Sequence, residues 1–122
     1  MIEIDRVDFV SIPSQDIERS KRFYGDLLGL EAEVETDTGV EFRAGQVTLG
    51  VWEPERWGRE FVPNTGYEIA LRVPDVVQAR VALEGAGVPF FGETRESSVC
   101  LMATFADPDG NKLMLHRRHD AD

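Results

Sequence analysis

Glu68-Ile69-Ala70-Leu71-Arg72-Val73-Pro74-Asp75 decides the fold. Ile69, Leu71 and Val73 share one parity and Glu68, Ala70 and Arg72 the other, the alternation of a half-buried strand, whose successive side chains leave opposite faces. Pro74 and Asp75 then end the strand and open a helix. The same figure stands near the N-terminus as Phe9-Val10-Ser11-Ile12-Pro13, followed by Asp16. Superposing the two puts Phe9 on Glu68, Val10 on Ile69, Ile12 on Leu71 and Asp16 on Asp75. A helical run follows each, and each run leaves through glycine and an apolar residue, Gly29-Leu30 and Gly87-Val88. One unit is used twice, and function is expected between the copies, on the faces that carry Phe9 and Glu68.

Working outward, residues 5–13 read as the first strand and 16–28 as a helix capped by Ser14 or Asp16, with Ile17, Phe23, Tyr24 and Leu27 on its inner face. Residues 30–36, 40–44 and 47–53 read as three more strands, the last two joined by a tight Gly45-Gln46 turn. Residues 54–66 have no period and carry Trp57 and Phe61 between two prolines. Loops of this length often cover a site or meet a partner. The second copy has strands at 67–73, 88–93, 99–105 and 112–116. Its helix spans 75–85, with Val76, Ala79, Val81, Ala82 and Leu83 facing inward, and 94–98 and 107–111 read as turns.

The predicted order is therefore βαβββ twice, an α+β fold whose modules form a curved, cup-like mixed sheet with helices outside. Its boundaries are module one at 1–53, a connecting loop at 54–66, module two at 67–118 and a charged tail at 119–122, all in one domain. Val10, Ile12, Leu49, Val51, Ile69, Leu71, Leu113 and Leu115 form the aliphatic face. The opposite face is mixed, which suits a small-molecule cup better than a core.

Composition narrows the partners. Each half alone is marginal by surface-to-volume scaling, so the halves should share a core, within one chain or across a dimer. A net charge of −10 argues against nucleic-acid phosphates and anionic membrane surfaces, and is compatible with a cationic ligand. No apolar run approaches a bilayer span, and the N-terminus lacks the pattern of a signal peptide. The single cysteine, Cys100, suits a reducing cytoplasm, the expected location, and reads as a small core residue.

Two motifs carry a resemblance over almost the whole chain. They are Asp16-Ile17-Glu18-Arg19-Ser20-Lys21-Arg22-Phe23-Tyr24 with Leu27-Leu28-Gly29, and Phe105-Ala106-Asp107-Pro108-Asp109-Gly110-Asn111-Lys112-Leu113. On a βαβββ repeat they resemble the vicinal oxygen chelate superfamily of glyoxalase I, extradiol dioxygenases and bleomycin-resistance proteins. The resemblance implies a homodimer, and in the enzymes a divalent metal held by His or Glu on inward positions of strands one, four, five and eight. Here those positions are Phe9, Gly50, Glu68 and Met114. Only Glu68 is a suitable ligand, since Met114 offers a soft thioether, so no metal or other cofactor is expected. An improvised site of Glu68, His116 and Glu53 is the alternative, set against His116 as a polar strand end and Glu53 as the opening of a loop. His119 reads as a solvated tail residue.

The expected function is metal-independent binding of a small organic ligand, resembling the antibiotic-sequestering branch. The ligand-binding candidates are Phe9, Ser11, Gly50, Trp52, Trp57, Glu68, Arg72, Met114 and His116. Trp52 and Trp57 could stack on a planar ligand or serve as packing anchors. Glu68 could be a general base, hold a cation, or pair with Arg72 or Lys112. The alternative function is a glyoxalase-like lyase or isomerase, or a dioxygenase, with Glu68 as the catalytic residue. A third possibility is a partner-binding module whose cup has become a second core.

Overall fold

The computed structural model describes residues 1–120. The chain divides into two compact units, Met1–Pro63 and the residues from Asn64 onward. Each unit is one βαβββ module, so the α+β repeat is present.

In the first unit, β1 (Val10–Pro13) leads to α1 (Ile17–Ser20), followed by β2 (Glu31–Glu35), β3 (Gly39–Ala44) and β4 (Val47–Trp52). The strand order is β1-β4-β3-β2, with β1 parallel to β4 and the other pairs antiparallel. In the second, β5 (Ile69–Arg72), α2 (Val76–Gly85), β6 (Phe90–Glu96), β7 (Cys100–Ala106) and β8 (Lys112–Arg118) repeat the pattern, in the order β5-β8-β7-β6 with β5 parallel to β8.

The aliphatic parity makes the core. Ile12, Val40, Phe42, Leu49 and Val51 are buried with Ile17, Phe23 and Tyr24 of the first helical segment. Tyr24 packs against Phe23 edge to face and against Phe42, with ring centroids 5.1 and 5.8 Å apart. In the second unit Ala103, Phe105, Leu113 and Leu115 are buried with Val76, Leu83 and Val88. Val81 and Ala82 of α2 stay exposed, unlike the inner face expected of them, because the stripe that meets the sheet runs through Val76, Ala79 and Leu83.

Both helices begin on the aspartates matched by the repeat. Asp16 accepts from the Arg19 N–H at 3.1 Å and Asp75 from the Gln78 N–H at 3.0 Å. Glu53 adds a cap from β4's end, its Oε2 accepting the Ile17 N–H at 2.8 Å and its Oε1 lying 2.9 Å from Arg56 Nε. After α2, Gly87 turns to φ +89, so that its N–H reaches the Glu84 carbonyl and the Val88 N–H reaches that of Leu83. This pattern satisfies carbonyls left over at a helix end.

The structure departs from the expected boundaries in four places. The first strand begins at Val10 instead of residue 5, where its parallel pairing with β4 opens at Val10 and Leu49. The first helix widens over Lys21–Leu27 into a π-helical segment in which Leu28 N–H reaches Phe23 O and Leu30 N–H reaches Tyr24 O. Phe23 and Tyr24, adjacent in sequence, are thereby both buried. The polar run 94–98, read as a turn, largely belongs to β6: a bulge between Phe91 and Arg95, with Gly92 at φ +71, shifts the register and lets Arg95 and Glu96 pair with β7. The last strand continues to Arg118, and His119 of the expected tail is bound, donating its N–H to Val99 O at 2.9 Å and placing its ring 2.9 Å from Ser97 O. Of that tail, residues 121 and 122 lie outside the described residues. The connecting stretch also holds a 3₁₀ turn, Pro54–Trp57.

The second sequence motif is a buried latch. Asp107 Oδ1 accepts the N–H groups of Asp109 and Asn111, both at 2.9 Å, and Asn111 Nδ2 donates to Asp107 Oδ2 at 2.8 Å. Asn111 Oδ1 accepts the Asn64 N–H at 2.8 Å and ties the incoming chain to the turn. Asn111→Ala strips a buried carboxylate oxygen and a backbone N–H of partners at once. It should cost about 2–4 kcal/mol in urea unfolding, whereas Arg6→Ala at an exposed pair should change stability by less than about 0.5 kcal/mol.

Candidate functional site

Within the first unit, α1 covers the aliphatic face of the sheet and the other parity faces away from it. That second parity starts from the row Ser11-Gly50-Glu41, consecutive partners on β1, β4 and β3. Next along the strands, Trp52 pairs with Gly39. Two glycines therefore give this face a floor of bare backbone. Phe9 closes one end, its ring so near Gly50 that a Cβ there would stand 3.0 Å from Phe9 Cδ1. Trp52 forms the other wall, anchored by an indole N–H donating to Ser11 Oγ at 2.5 Å. The guanidinium of Arg59 lies over that indole, 5.5 Å from the ring centre.

The result is a groove of about 490 Å³ lined mainly by apolar atoms. Its volume falls in the range of small-molecule sites, which combine apolar walls with a few polar groups. Phe9, Ser11, Gly50 and Trp52 are thus brought together. Trp57 is not: it stands on the 3₁₀ turn, 66% exposed, outside the groove lining.

In the second unit the corresponding row is Ala70-Met114-Thr104, and the next is Arg72-His116-Met102. Met114 and His116 are half-buried and Arg72 is exposed. Glu68 lies in a separate, more polar hollow of about 340 Å³ with Tyr67, Phe91, Arg95, Thr104 and Lys112. Its Oε1 accepts a close hydrogen bond from the buried Thr104 hydroxyl. The expected pairing of Glu68 with Arg72 or Lys112 is therefore replaced. Thr104 projects from β7 beside it, and the Lys112 ammonium sits over the Phe91 ring, 5.3 Å from its centre.

The donor set does not fit the family's divalent metal. In the first unit, the positions that the resemblance assigns to ligands carry Phe9 and Gly50, a ring and bare backbone. In the second, Glu68 is accompanied by the thioether of Met114. Glu53, a member of the improvised alternative, has its carboxylate committed to the α1 cap and Arg56. Among the described residues no three His, Cys, Asp or Glu side chains converge as ligands. Hard and borderline ions need three or four suitable donors.

Several lining residues escaped the sequence reading. Glu41 shares the groove with Arg59 and Gly39. The alternation of Val40 and Phe42 around it was the available signal, since buried neighbours on both sides put Glu41 on the opposite face. Arg59 had only the weaker signal of its place on a long connecting stretch. Thr104 could have been read from the alternation of Ala103 and Phe105.

The family model of the Glyoxalase/Bleomycin resistance protein/Dioxygenase superfamily matches residues 6–115. Among curated proteins, the chain is similar to the glutathione transferase FosA of Serratia marcescens, 26% identical over 118 residues, covering 93% of this chain and 81% of the relative. Among solved structures it is similar to a member of the same superfamily from Sphaerobacter thermophilus, with 26% identity, coverage of 93% and 97% of the two chains, and a TM-score of 0.76. The antibiotic-binding protein TnmS3 from Streptomyces sp. CB03234 has the same fold, with 24% identity, coverage of 97% and 99%, and a TM-score of 0.77. No helix among the described residues is long and apolar enough to cross a membrane.

Purified without chelator, the protein should carry no stoichiometric metal by elemental analysis. Nickel, zinc, manganese or iron(II) should give no saturable rise in Tm. Stoichiometric metal with a saturating rise would mean that other donors assemble a site.

Proposed function

Because the chain belongs to the Glyoxalase/Bleomycin resistance protein/Dioxygenase superfamily, we propose that its first-unit groove binds a small organic molecule and that the protein acts by sequestering it, as an antibiotic-binding protein does. One observation carries this reading. Where the family's enzymes place metal ligands, this chain places Phe9 and Gly50, and the space becomes the end of an apolar groove walled by Trp52. An aromatic wall and a glycine floor favour a flat ligand, which can lie against backbone and stack on the indole. The relatives support the direction, since the same fold carries antibiotic binding in TnmS3. The proposal takes the protein as a cytoplasmic homodimer, and a monomer at micromolar concentration would count against the dimer.

The test uses Trp57→Phe, which leaves Trp52 as the sole indole of a chain with two tryptophans. Titration with a panel of aromatic, cationic and peptide-like natural products should give a saturable change in its emission for at least one member. By calorimetry, Trp52→Ala should weaken that binding about ten-fold, the equivalent of ~1.4 kcal/mol. A panel in which nothing binds would sink the proposal.

A second reading rests on Glu68, whose carboxylate is held by the buried Thr104 hydroxyl at the edge of a polar hollow. A base so positioned suits proton abstraction in a lyase, isomerase or transferase reaction. The name of the Serratia relative makes glutathione-dependent chemistry the first to assay. Turnover of a glutathione-linked substrate that falls about 100-fold or more in Glu68→Gln would support it. Turnover that is unchanged in the variant would remove Glu68 from the chemistry.

A further inference from the structure

Two charged side chains line the apolar groove, one of each sign. Glu41 is half-buried, and its side chain forms no hydrogen bond or ion pair among the described residues. It stands on β3 directly across from Gly50, and so at the Phe9 end. Arg59 makes no side-chain hydrogen bond or ion pair among the described residues either, and its guanidinium rests on the Trp52 face at the other end. Neighbouring charges on this unit are already matched: Arg43 pairs with Glu33, Arg6 with Asp8, and Lys21 with Glu18 and Glu35. Opposite charges left uncommitted at the two ends of an apolar trough are available to a ligand.

The backbone positions beside them, Gly50 next to Glu41 and Trp52 beneath Arg59, bound its size. Glu41 faces Gly50, and Gly39, two residues earlier on β3, faces Trp52. Two residues of antiparallel strand span about 7 Å, comparable to the distance between para substituents across one benzene ring. Between them lies the bare backbone of Gly39, beside the Phe9 ring that covers Gly50.

Resting on the binding function proposed above, we infer that the groove selects an amphoteric aromatic ligand, with its cationic group on Glu41, its anionic group on Arg59, and its ring over the Gly39 backbone between Phe9 and Trp52. The carboxylate accepts from an ammonium. The guanidinium, forked and planar, donates to a carboxylate while keeping its stacking partner. The overall charge of −10 draws the cationic end inward, and Arg59 then gives the anionic end a place it would lack elsewhere on an acidic surface.

Three probes on one ring test this: 4-(aminomethyl)benzoate, benzylamine and 4-methylbenzoate, titrated into the Trp57→Phe protein by Trp52 emission. The zwitterion should bind about five-fold more tightly than either singly charged probe, the upper end for a half-exposed ion pair. Glu41→Gln should abolish its advantage over 4-methylbenzoate and spare that over benzylamine. Arg59→Gln should do the reverse. Equal binding of the three probes, or indifference to both substitutions, would overturn the inference. If no probe binds while a natural product of the earlier panel does, the charge assignment fails and the binding function stands. If neither binds, both fall.

Discussion

Parallel pairing of β1 with β4, and of β5 with β8, is the constraint from which the rest follows. Parallel neighbours cannot be joined by a hairpin, so the chain must cross over, and in each unit a helix lies on that crossing path. The helix needs an apolar stripe, and that need assigns one parity of every strand to the core. Ile12, Leu49 and Val51 answer it in the first unit, and Leu113 and Leu115 in the second. The opposite parity is then free of packing duty, and polar, small and charged residues can stand there without cost to the core. A one-residue slip of β4 would exchange the two faces and bury Gly50 and Trp52 in place of Leu49 and Val51.

The parity argument also explains why most of the architecture was legible. Both strand-to-helix stretches announce themselves by alternation followed by an aspartate, and both aspartates are caps in the structure. What alternation could not show were features set by partners remote in sequence. The start of β1 is set by its pairing with β4, which opens at Val10 and Leu49. The extension of β6 through a polar run depends on the length of β7 and a bulge at Gly92. The π-helical segment depends on two adjacent aromatic rings seeking one core. None of these leaves a local signature.

The site was legible in part, for the same reason. Phe9, Ser11, Gly50 and Trp52 came from the parity of strands whose faces were assigned, and they do line one groove. Glu41 was on a strand whose face was left unassigned. Arg59 came from an irregular stretch with no periodicity to read. Glu68 was correctly placed on the free parity, but its partner could not be foreseen. A carboxylate among several cations is expected to choose one of them, whereas here a buried hydroxyl on the adjoining strand is nearer and better aimed. Trp57 came from residue type alone, and its place on the 3₁₀ turn lies outside the lining of that groove.

The repeat makes the two units a controlled comparison, since the same backbone row carries different side chains. Ser11-Gly50-Glu41 in the first unit corresponds to Ala70-Met114-Thr104 in the second. The central position is empty in one and filled by a flexible thioether in the other. Its neighbour on the third strand is a carboxylate whose side chain has no partner among the described residues in one, and a hydroxyl engaged with Glu68 in the other. Strand order and pairing are the same in both units, while the first carries an apolar groove and the second a polar hollow at Glu68 and Thr104. Removing a side chain from the central strand does more than create room. It lets a ring from the preceding residues, Phe9, lie on the bare backbone and become wall instead of floor. In this chain a glycine at the central position and an aromatic residue at the strand entry act as a pair: the glycine admits the ring, and the ring gives the groove an apolar contact surface.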